Sequence, residues 1–264
     1  MQKVRPKKAL GQHFLTDESI ARRIAATLEP VSQLPVLEVG PGMGMLTHCL
    51  LDQGADVRVA EIDGESVEYL RNEYPALAQE GRIIEGDFLT LDLATALPHA
   101  DKIAVIGNYP YNISSQIFFH VLEYKDVVQC CSGMLQREVA ERIAAAPGCK
   151  ARGILSVLLQ AWYDVEYLFT VSEKVFNPPP KVKSGVICLI RNNVRELGCD
   201  ERLFRTVVKS TFGQRRKMLR NTVRGLLPAD AAPIESEMMQ LRPEDLSVAQ
   251  FIELTNLIEA SQKR

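Results

Sequence analysis

Asn108-Tyr109-Pro110-Tyr111 combines side chains and backbone suited to handling an aromatic amine. The lone pair of an aryl amine is delocalised into its ring, so the amine is a poor nucleophile. Acceptors on its two hydrogens favour pyramidal geometry and steady the positive charge that develops during attack. The Asn108 side-chain oxygen and the Tyr109 backbone carbonyl are candidates for those acceptors. Pro110 stiffens the turn and removes a competing donor. Tyr111 offers a face on which a base can stack. No Ser, Cys or His arrangement of a nucleophilic triad accompanies this turn.

A second set of residues lies upstream, in Leu37-Glu38-Val39-Gly40-Pro41-Gly42-Met43-Gly44, Ala60-Glu61-Ile62-Asp63 and Glu85-Gly86-Asp87-Phe88. Glycines in a strand-to-helix turn let a ligand approach the backbone with no Cβ in the way. The dinucleotide fingerprint G-x-G-x-x-G would need its third glycine at Met45 and fails. The G-x-G-x-G that is present resembles motif I of class I S-adenosylmethionine methyltransferases. Glu61, at the end of a strand, is placed to accept hydrogen bonds from both ribose hydroxyls of such a cofactor. Asp63 suits a helix cap. Asp87 is placed to accept from the cofactor's adenine amine, with Phe88 beside the ring. A methyl sulfonium is a strong electrophile, so its transfer requires no protein nucleophile. The Asn108 turn is then an instance of the motif carried by enzymes that methylate exocyclic amines.

These groups must be positioned by elements, and hydrophobic periodicity supplies them. An amphipathic helix is expected over Thr16–Leu28, capped by Asp17 or Thr16, with Ile20, Ile24 and Leu28 on one face. Strands are expected at Val36–Val39, Val57–Ile62, Arg82–Glu85, Ile103–Gly107, Val127–Leu135, Val165–Thr170 and Gly185–Ile190. Helices fall between most of them, at Met45–Gln53, Glu65–Glu73, Ile113–Leu122, Glu138–Ala145 and Ile154–Ala161. This alternation implies a mainly parallel sheet with right-handed crossovers. After Arg191 only helices follow, over Leu203–Phe212, Arg216–Leu226 and Val248–Glu259. The expected fold is α/β and Rossmann-like, with seven strands and a small all-helical C-terminal domain. The boundary is placed near Asn193–Gly198. It separates a methyltransferase domain over 1–195, which opens on a basic segment 1–15, from a helical domain over 196–264.

Further motifs make the resemblance specific. Gly11-Gln12-His13-Phe14-Leu15, the run Gly107–Ser114, Gln136–Arg142, Leu155-Ser156-Val157, Val175–Ser184, Phe212–Leu219 and Leu241–Ser247 all match one family. The chain resembles the KsgA/RsmA-type small-subunit ribosomal RNA adenine dimethyltransferases over nearly its whole length. The resemblance implies that Gln12, His13, Leu15, Gly40, Gly42, Gly44, Glu61, Ile62, Asp87, Phe88 and Asn108 form the site for S-adenosylmethionine, with the basic segment 1–15 over it. It implies Asn108 and Tyr111 at the chemistry, with Phe176 on the other face of the target base. Two departures stand out. Tyr109 replaces a usual Leu, and Arg152 stands where Tyr is expected before Gly153.

Net charge is only −2, from 31 Lys and Arg against 33 Asp and Glu, so overall charge does not announce a polyanionic partner. Local charge does. Lys3, Arg5, Lys7 and Lys8 crowd the N-terminus, and residues 200–224 hold eight Lys or Arg against Asp200 and Glu201. Lys7, Lys8, Arg215, Arg216, Lys217 and Arg220 are therefore the candidates for rRNA contact, the alternative being a solvated face. The six cysteines form no Cys-x-x-Cys pair and read as reduced packing residues. No metal site is expected, and no role is expected for His48, His99 or His120. The basic N-terminus is followed by no apolar signal core and no apolar run approaches the ~20 residues that span a bilayer, so a cytoplasmic protein without membrane is expected. Nothing suggests an obligate dimer, so a monomer is expected, and the resemblance implies the immature small ribosomal subunit as its partner. Rival readings are a large-subunit rRNA dimethyltransferase of the antibiotic-resistance type, a DNA adenine methyltransferase, and an assembly factor that binds RNA without catalysis. The Arg215-Arg216-Lys217 segment and the closing Leu-Arg-Pro-Glu-Asp-Leu-Ser favour the small-subunit enzyme. Intact cofactor motifs argue against loss of catalysis.

Overall fold

Val36–Val39 is apolar but for Glu38 and is buried along its whole length, as a strand covered on both faces must be. It sits inside the sheet of the computed structural model, which describes residues 4–98 and 100–263. Lys3 and His99 lie outside the described residues. The chain opens with a two-residue strand β1 (Phe14–Leu15) and helix α1 (Glu18–Ala25). Asp17 caps α1, its carboxylate accepting from Ser19 N at 2.9 Å. There follow β2 (Val36–Val39), α2 (Met45–Asp52), β3 (Val57–Glu61), α3 (Gly64–Glu73), α4 (Pro75–Gln79) and β4 (Ile83–Glu85). Next come β5 (Ile103–Asn108), α5 (Ser114–Glu123), β6 (Val128–Gln136), α6 (Arg137–Ile143), α7 (Ile154–Gln160), β7 (Tyr163–Val171), β8 (Phe176–Asn177) and β9 (Ser184–Arg191). The C-terminal helices are α8 (Glu201–Gly213), α9 (Leu219–Thr222) and α10 (Val248–Gln262).

Seven strands form one sheet in the order β4-β3-β2-β5-β6-β9-β7. β4, β3, β2, β5 and β6 are parallel neighbours, and β9 runs antiparallel to β6. The order reverses between β2 and β5, which leaves a crevice beyond their carboxyl ends. That is where open α/β sheets take ligands. Ile24, Leu50, Val57, Ala104 and Met134 are among the side chains of the buried cluster that α1 and α2 share with the sheet. Each large side chain of this kind contributes about 1.5–3 kcal/mol by leaving water.

The chain divides into two compact units. One holds the residues up to Ala140 with Val165–Arg191; the other holds Glu141–Asp164 with the residues from Asn192 onward. A single cut near residue 195 differs from this division by one segment. Glu141–Asp164 joins the later helices because α7 packs on α8 and Gly148 N donates to Glu244 O at 2.9 Å. The helix expected over Arg216–Leu226 shortens to α9 and a 3-10 turn at Arg224–Leu226. Met218 supplies no capping side chain, and Val223 and Gly225 are poor helix formers. Two features go beyond the sequence expectation: α4, and the antiparallel pair of β1 with β8, which sets Leu15 opposite Phe176. Among the described residues no helix is long and apolar enough to cross a membrane.

Candidate active site

The turn from β2 into α2 forms one wall of a cavity. Gly42 has φ +57°, and a Cβ there would lie 2.7 Å from the Phe14 ring. Gly44 has φ +78°, and its Cβ would lie 2.6 Å from the Tyr74 ring. Gly44 is therefore required by helix entry and packing; it is not among the cavity-lining residues, whereas Gly40 and Gly42 are. Gly42 N donates to Glu61 Oε2 at 3.0 Å, and Asp63 N donates to Oε1 at 2.9 Å. Burial pushes the Glu61 carboxyl pKa up, and the two backbone donors oppose that shift. Each carboxylate oxygen keeps a lone pair for a ligand hydroxyl. Ile62, 53% exposed, and the buried Phe88 both line the cavity and give it apolar surface beside Glu61 and Asp87. Asp87 also lines the cavity, its carboxylate accepting from Leu89 N at 2.9 Å.

Glu38 is a cavity residue for which sequence reasoning gives no role. It is 1% exposed, and Thr47 Oγ1 donates to its Oε2 at 2.6 Å. Desolvation pushes its pKa up to about 8. The signal that could have found it is an acid in a strand otherwise wholly apolar, where a charge is costly unless it answers to a partner.

The turn after β5 also lines the cavity, close to the glycine turn, with a Cβ on Gly40 falling 4.0 Å from Pro110 Cδ. Asn108 Nδ2 donates to the backbone carbonyl of His13 at 3.0 Å. That bond fixes the amide, leaving Oδ1 as an acceptor that takes no donor among the described residues. Tyr109 N donates to Met134 O at 2.8 Å, and its hydroxyl donates to Ser132 O at 2.7 Å. Its ring lies over Gly107 and Gly133 and meets Phe118 edge-on at 5.6 Å. The Tyr109 side chain is thus satisfied inside the core, which explains how Tyr is accommodated in place of Leu. Tyr111 lines the cavity, its hydroxyl 2.5 Å from Ser184 Oγ and its ring 5.5 Å from that of His13. Burial pushes the Tyr111 phenol pKa up, so it stays protonated. The residues from Leu10 to Leu15, with Gln12 and His13 among them, close the cavity from a third side. His13 Nδ1 lies 2.7 Å from the Pro178 carbonyl.

A family model described as ribosomal RNA adenine dimethylase matches residues 3–260. The chain belongs to the ribosomal RNA adenine dimethylase family. It is 63% identical to "Ribosomal RNA small subunit methyltransferase A" of Parabacteroides distasonis, over 97% of this chain and 94% of that protein. It is 59% identical to the Bacteroides thetaiotaomicron protein of the same name, over 100% and 97%. Among solved structures it superposes on a dimethyladenosine transferase from Plasmodium falciparum with TM-score 0.75 and 24% identity, covering 95% and 98% of the two chains. It superposes on the 23S rRNA methyltransferase ErmE with TM-score 0.66 and 26% identity, covering 93% and 99%. The fold is that of class I S-adenosylmethionine methyltransferases, and S-adenosylmethionine is the cofactor. The cavity fits it: an acceptor carboxylate at Glu61, apolar lining from Ile62 and Phe88, and a glycine turn at Gly40 and Gly42 are all in place.

Not every family-implied position meets the cavity. Phe176 is 4% exposed, packs in the core cluster and is not among the cavity-lining residues. The basic candidates also divide. Lys7 is paired with Asp63, and with Glu65 at 3.2 Å, so its charge is already engaged. Lys8 is exposed. In the other unit, Arg215 donates to Lys150 O and sits 3.6 Å from Glu244, and Arg220 donates to Gln240 Oε1 at 3.0 Å. Arg216 and Lys217 are exposed. Arg152, the second departure, is fully buried, with Ala145 O and Gln160 Oε1 as acceptors and its Nε and second terminal nitrogen unsatisfied.

Proposed function

We propose that this protein transfers methyl groups from S-adenosylmethionine to the exocyclic amines of two adjacent adenosines in the 3′-terminal hairpin loop of small-subunit rRNA, giving dimethyladenosines. One observation carries the reading of the chemistry: the Asn108 amide, pinned through its nitrogen by the His13 carbonyl, holds its oxygen free at the cavity. The name shared by the relatives at 55–63% identity supports the choice of small subunit. The work belongs to small-subunit assembly in the cytoplasm, with the protein acting as a monomer on the immature particle.

The cofactor, when bound, supplies an electrophilic methyl group on a sulfonium. The chain's own residues do the rest. Asn108 Oδ1 and the Tyr109 carbonyl accept hydrogen bonds from the target amine, which localises its lone pair and steadies the charge that grows on nitrogen. Once methylated, the amine carries a single hydrogen, and one acceptor then suffices. The proton leaves to water. Tyr111 stacks on the base, its ring held by the Ser184 bond. Phe176, paired through β8 with the cavity-lining segment at Leu15, takes the other face of the base. Glu61, Asp87, Ile62 and Phe88 hold the nucleoside end of the cofactor. Arg216, Lys217 and Lys8 supply phosphate contacts, and the helical unit that contains the first two is the main rRNA-binding part.

The test is methyl transfer from labelled cofactor to purified immature small subunits and to large subunits in parallel, with the label mapped to nucleotides. Label in two adjacent adenosines of small-subunit rRNA is expected. Label confined to large subunits would replace this reading with the large-subunit one.

A further inference from the structure

Asp63 is 2% exposed, yet its partners reach it from a distant part of the chain. Lys7 Nζ pairs with its Oδ1, Gln12 Nε2 donates to its Oδ2 at 3.2 Å, and Ser66 Oγ donates to Oδ2 at 2.9 Å. Desolvation works to raise the Asp63 pKa, and the bonds from Lys7, Gln12 and Ser66 outweigh it and hold the carboxyl ionised. The same residue's backbone N–H donates to Glu61 Oε1 at 2.9 Å. Asp63 therefore touches the ribose-accepting carboxylate with its backbone and the N-terminal segment with its side chain.

That segment roofs the cofactor cavity. Leu10–Leu15 line it, and the far end of the segment is fixed by pairing of β1 with β8 and by the bond from Asn108 to His13. The near end is fixed by Lys7 and Gln12, whose side-chain oxygen also accepts from Lys7 N at 2.8 Å. Gly11, between them, has φ +64°. A Cβ there would fall 2.5 Å from Asn112 Oδ1, so the bend at the roof is close-fitting.

We infer that Lys7, Gln12 and Asp63 form a latch that holds the N-terminal segment closed over S-adenosylmethionine, and that Lys7 is a positioning residue for cofactor binding and makes no phosphate contact. An ion pair of one part-exposed lysine with a buried carboxylate suits this task. Opening it strands a charge away from water, which resists opening without forbidding it. The inference rests on the cavity being the cofactor site.

The experiment is calorimetric titration of the full-length protein with S-adenosylmethionine, alongside binding to small subunits at several salt concentrations. Binding by the parental protein checks the cavity assignment on its own. Lys7→Met keeps most of the length of the side chain and removes its charge. It is expected to weaken cofactor affinity by about 10-fold or more, the scale of a charge-assisted hydrogen bond, and to leave the salt dependence of RNA binding unchanged. Asp63→Asn should weaken the cofactor similarly. The double variant should be no worse than the poorer single, because both changes open one latch. Unchanged cofactor affinity in Lys7→Met overturns the inference. So does a drop of about one unit in the log–log salt slope for RNA, which would make Lys7 a phosphate contact. Lys7 is partly exposed, so the fold should survive its replacement, and a melting curve for each variant verifies that.

Discussion

Asn108 uses the two ends of one amide for two purposes. Its nitrogen is committed to the His13 carbonyl, 95 residues away in sequence, and its oxygen is the acceptor proposed for the target amine. Tyr109 divides its labour in the same way, with ring and hydroxyl satisfied in the core and its carbonyl left at the turn. Removing the Tyr109 hydroxyl should then matter to stability and not to chemistry. Tyr109→Phe leaves the buried Ser132 carbonyl without that donor and should cost about 1–3 kcal/mol, read as a lower denaturation midpoint, with methyl transfer at the parental rate. A large fall in rate in the folded variant would mean the hydroxyl takes part in catalysis. Glu61→Ala should weaken S-adenosylmethionine binding by about 1–3 kcal/mol, and equal calorimetric affinities for the two proteins would remove Glu61 from the ribose site. Glu38 makes a prediction about pH. Its folded pKa, about 8, lies above the ordinary carboxylate value of 4.5. The stabilisation from burying its neutral form is therefore full below about pH 4.5 and is lost as pH rises towards 8 and beyond. Thermal midpoints at pH 6 and pH 9 should fall less steeply in Glu38→Gln than in the parent; parallel falls would show that Glu38 does not titrate in this range.

The elements explain which of these residues are legible in advance. Glu61, Asp87 and Asn108 each follow or end a strand of a parallel sheet, and such a sheet gathers its strand ends at one edge. Periodicity locates strands, so it also locates those acids and that amide. Lys7 is illegible for the opposite reason. Its partner Asp63 lies 56 residues away, joined by no local pattern, and from sequence alone its charge resembles any other in the basic N-terminus. The placing of Phe176 is not legible either: its two-residue strand is too short to show period-two alternation, and its pairing with β1 sets it in the core cluster. Arg215 and Arg216 are adjacent and alike in the sequence, yet one is engaged by Lys150 and Glu244 and the other is exposed. That difference is testable. Arg216→Ala with Lys217→Ala should flatten the log–log salt dependence of small-subunit binding by about two units, one for each phosphate-binding cation removed. An unchanged slope would return both to an ordinary solvated surface.

At the scale of the whole molecule, the seven-stranded sheet and its helical companion are legible from the change in pattern after Arg191. The place of Glu141–Asp164 is not. That segment is flanked by β6 and β7, and only its packing against the later helices assigns it to their unit. The proposed function follows the same division: it assigns the chemistry to the sheet edge, and the helical unit presents the exposed cations Arg216 and Lys217. The central claim is that Asn108 activates the target amine by accepting its hydrogen bond. Single-turnover methylation of immature small subunits by Asn108→Ala, with mono- and dimethylated adenosine separated by mass, tests it most directly. Both transfers should slow by about 10²–10³, as for removal of one preorganised electrostatic partner, while the cofactor still binds. Dimethyladenosine formed at the parental rate would contradict the account.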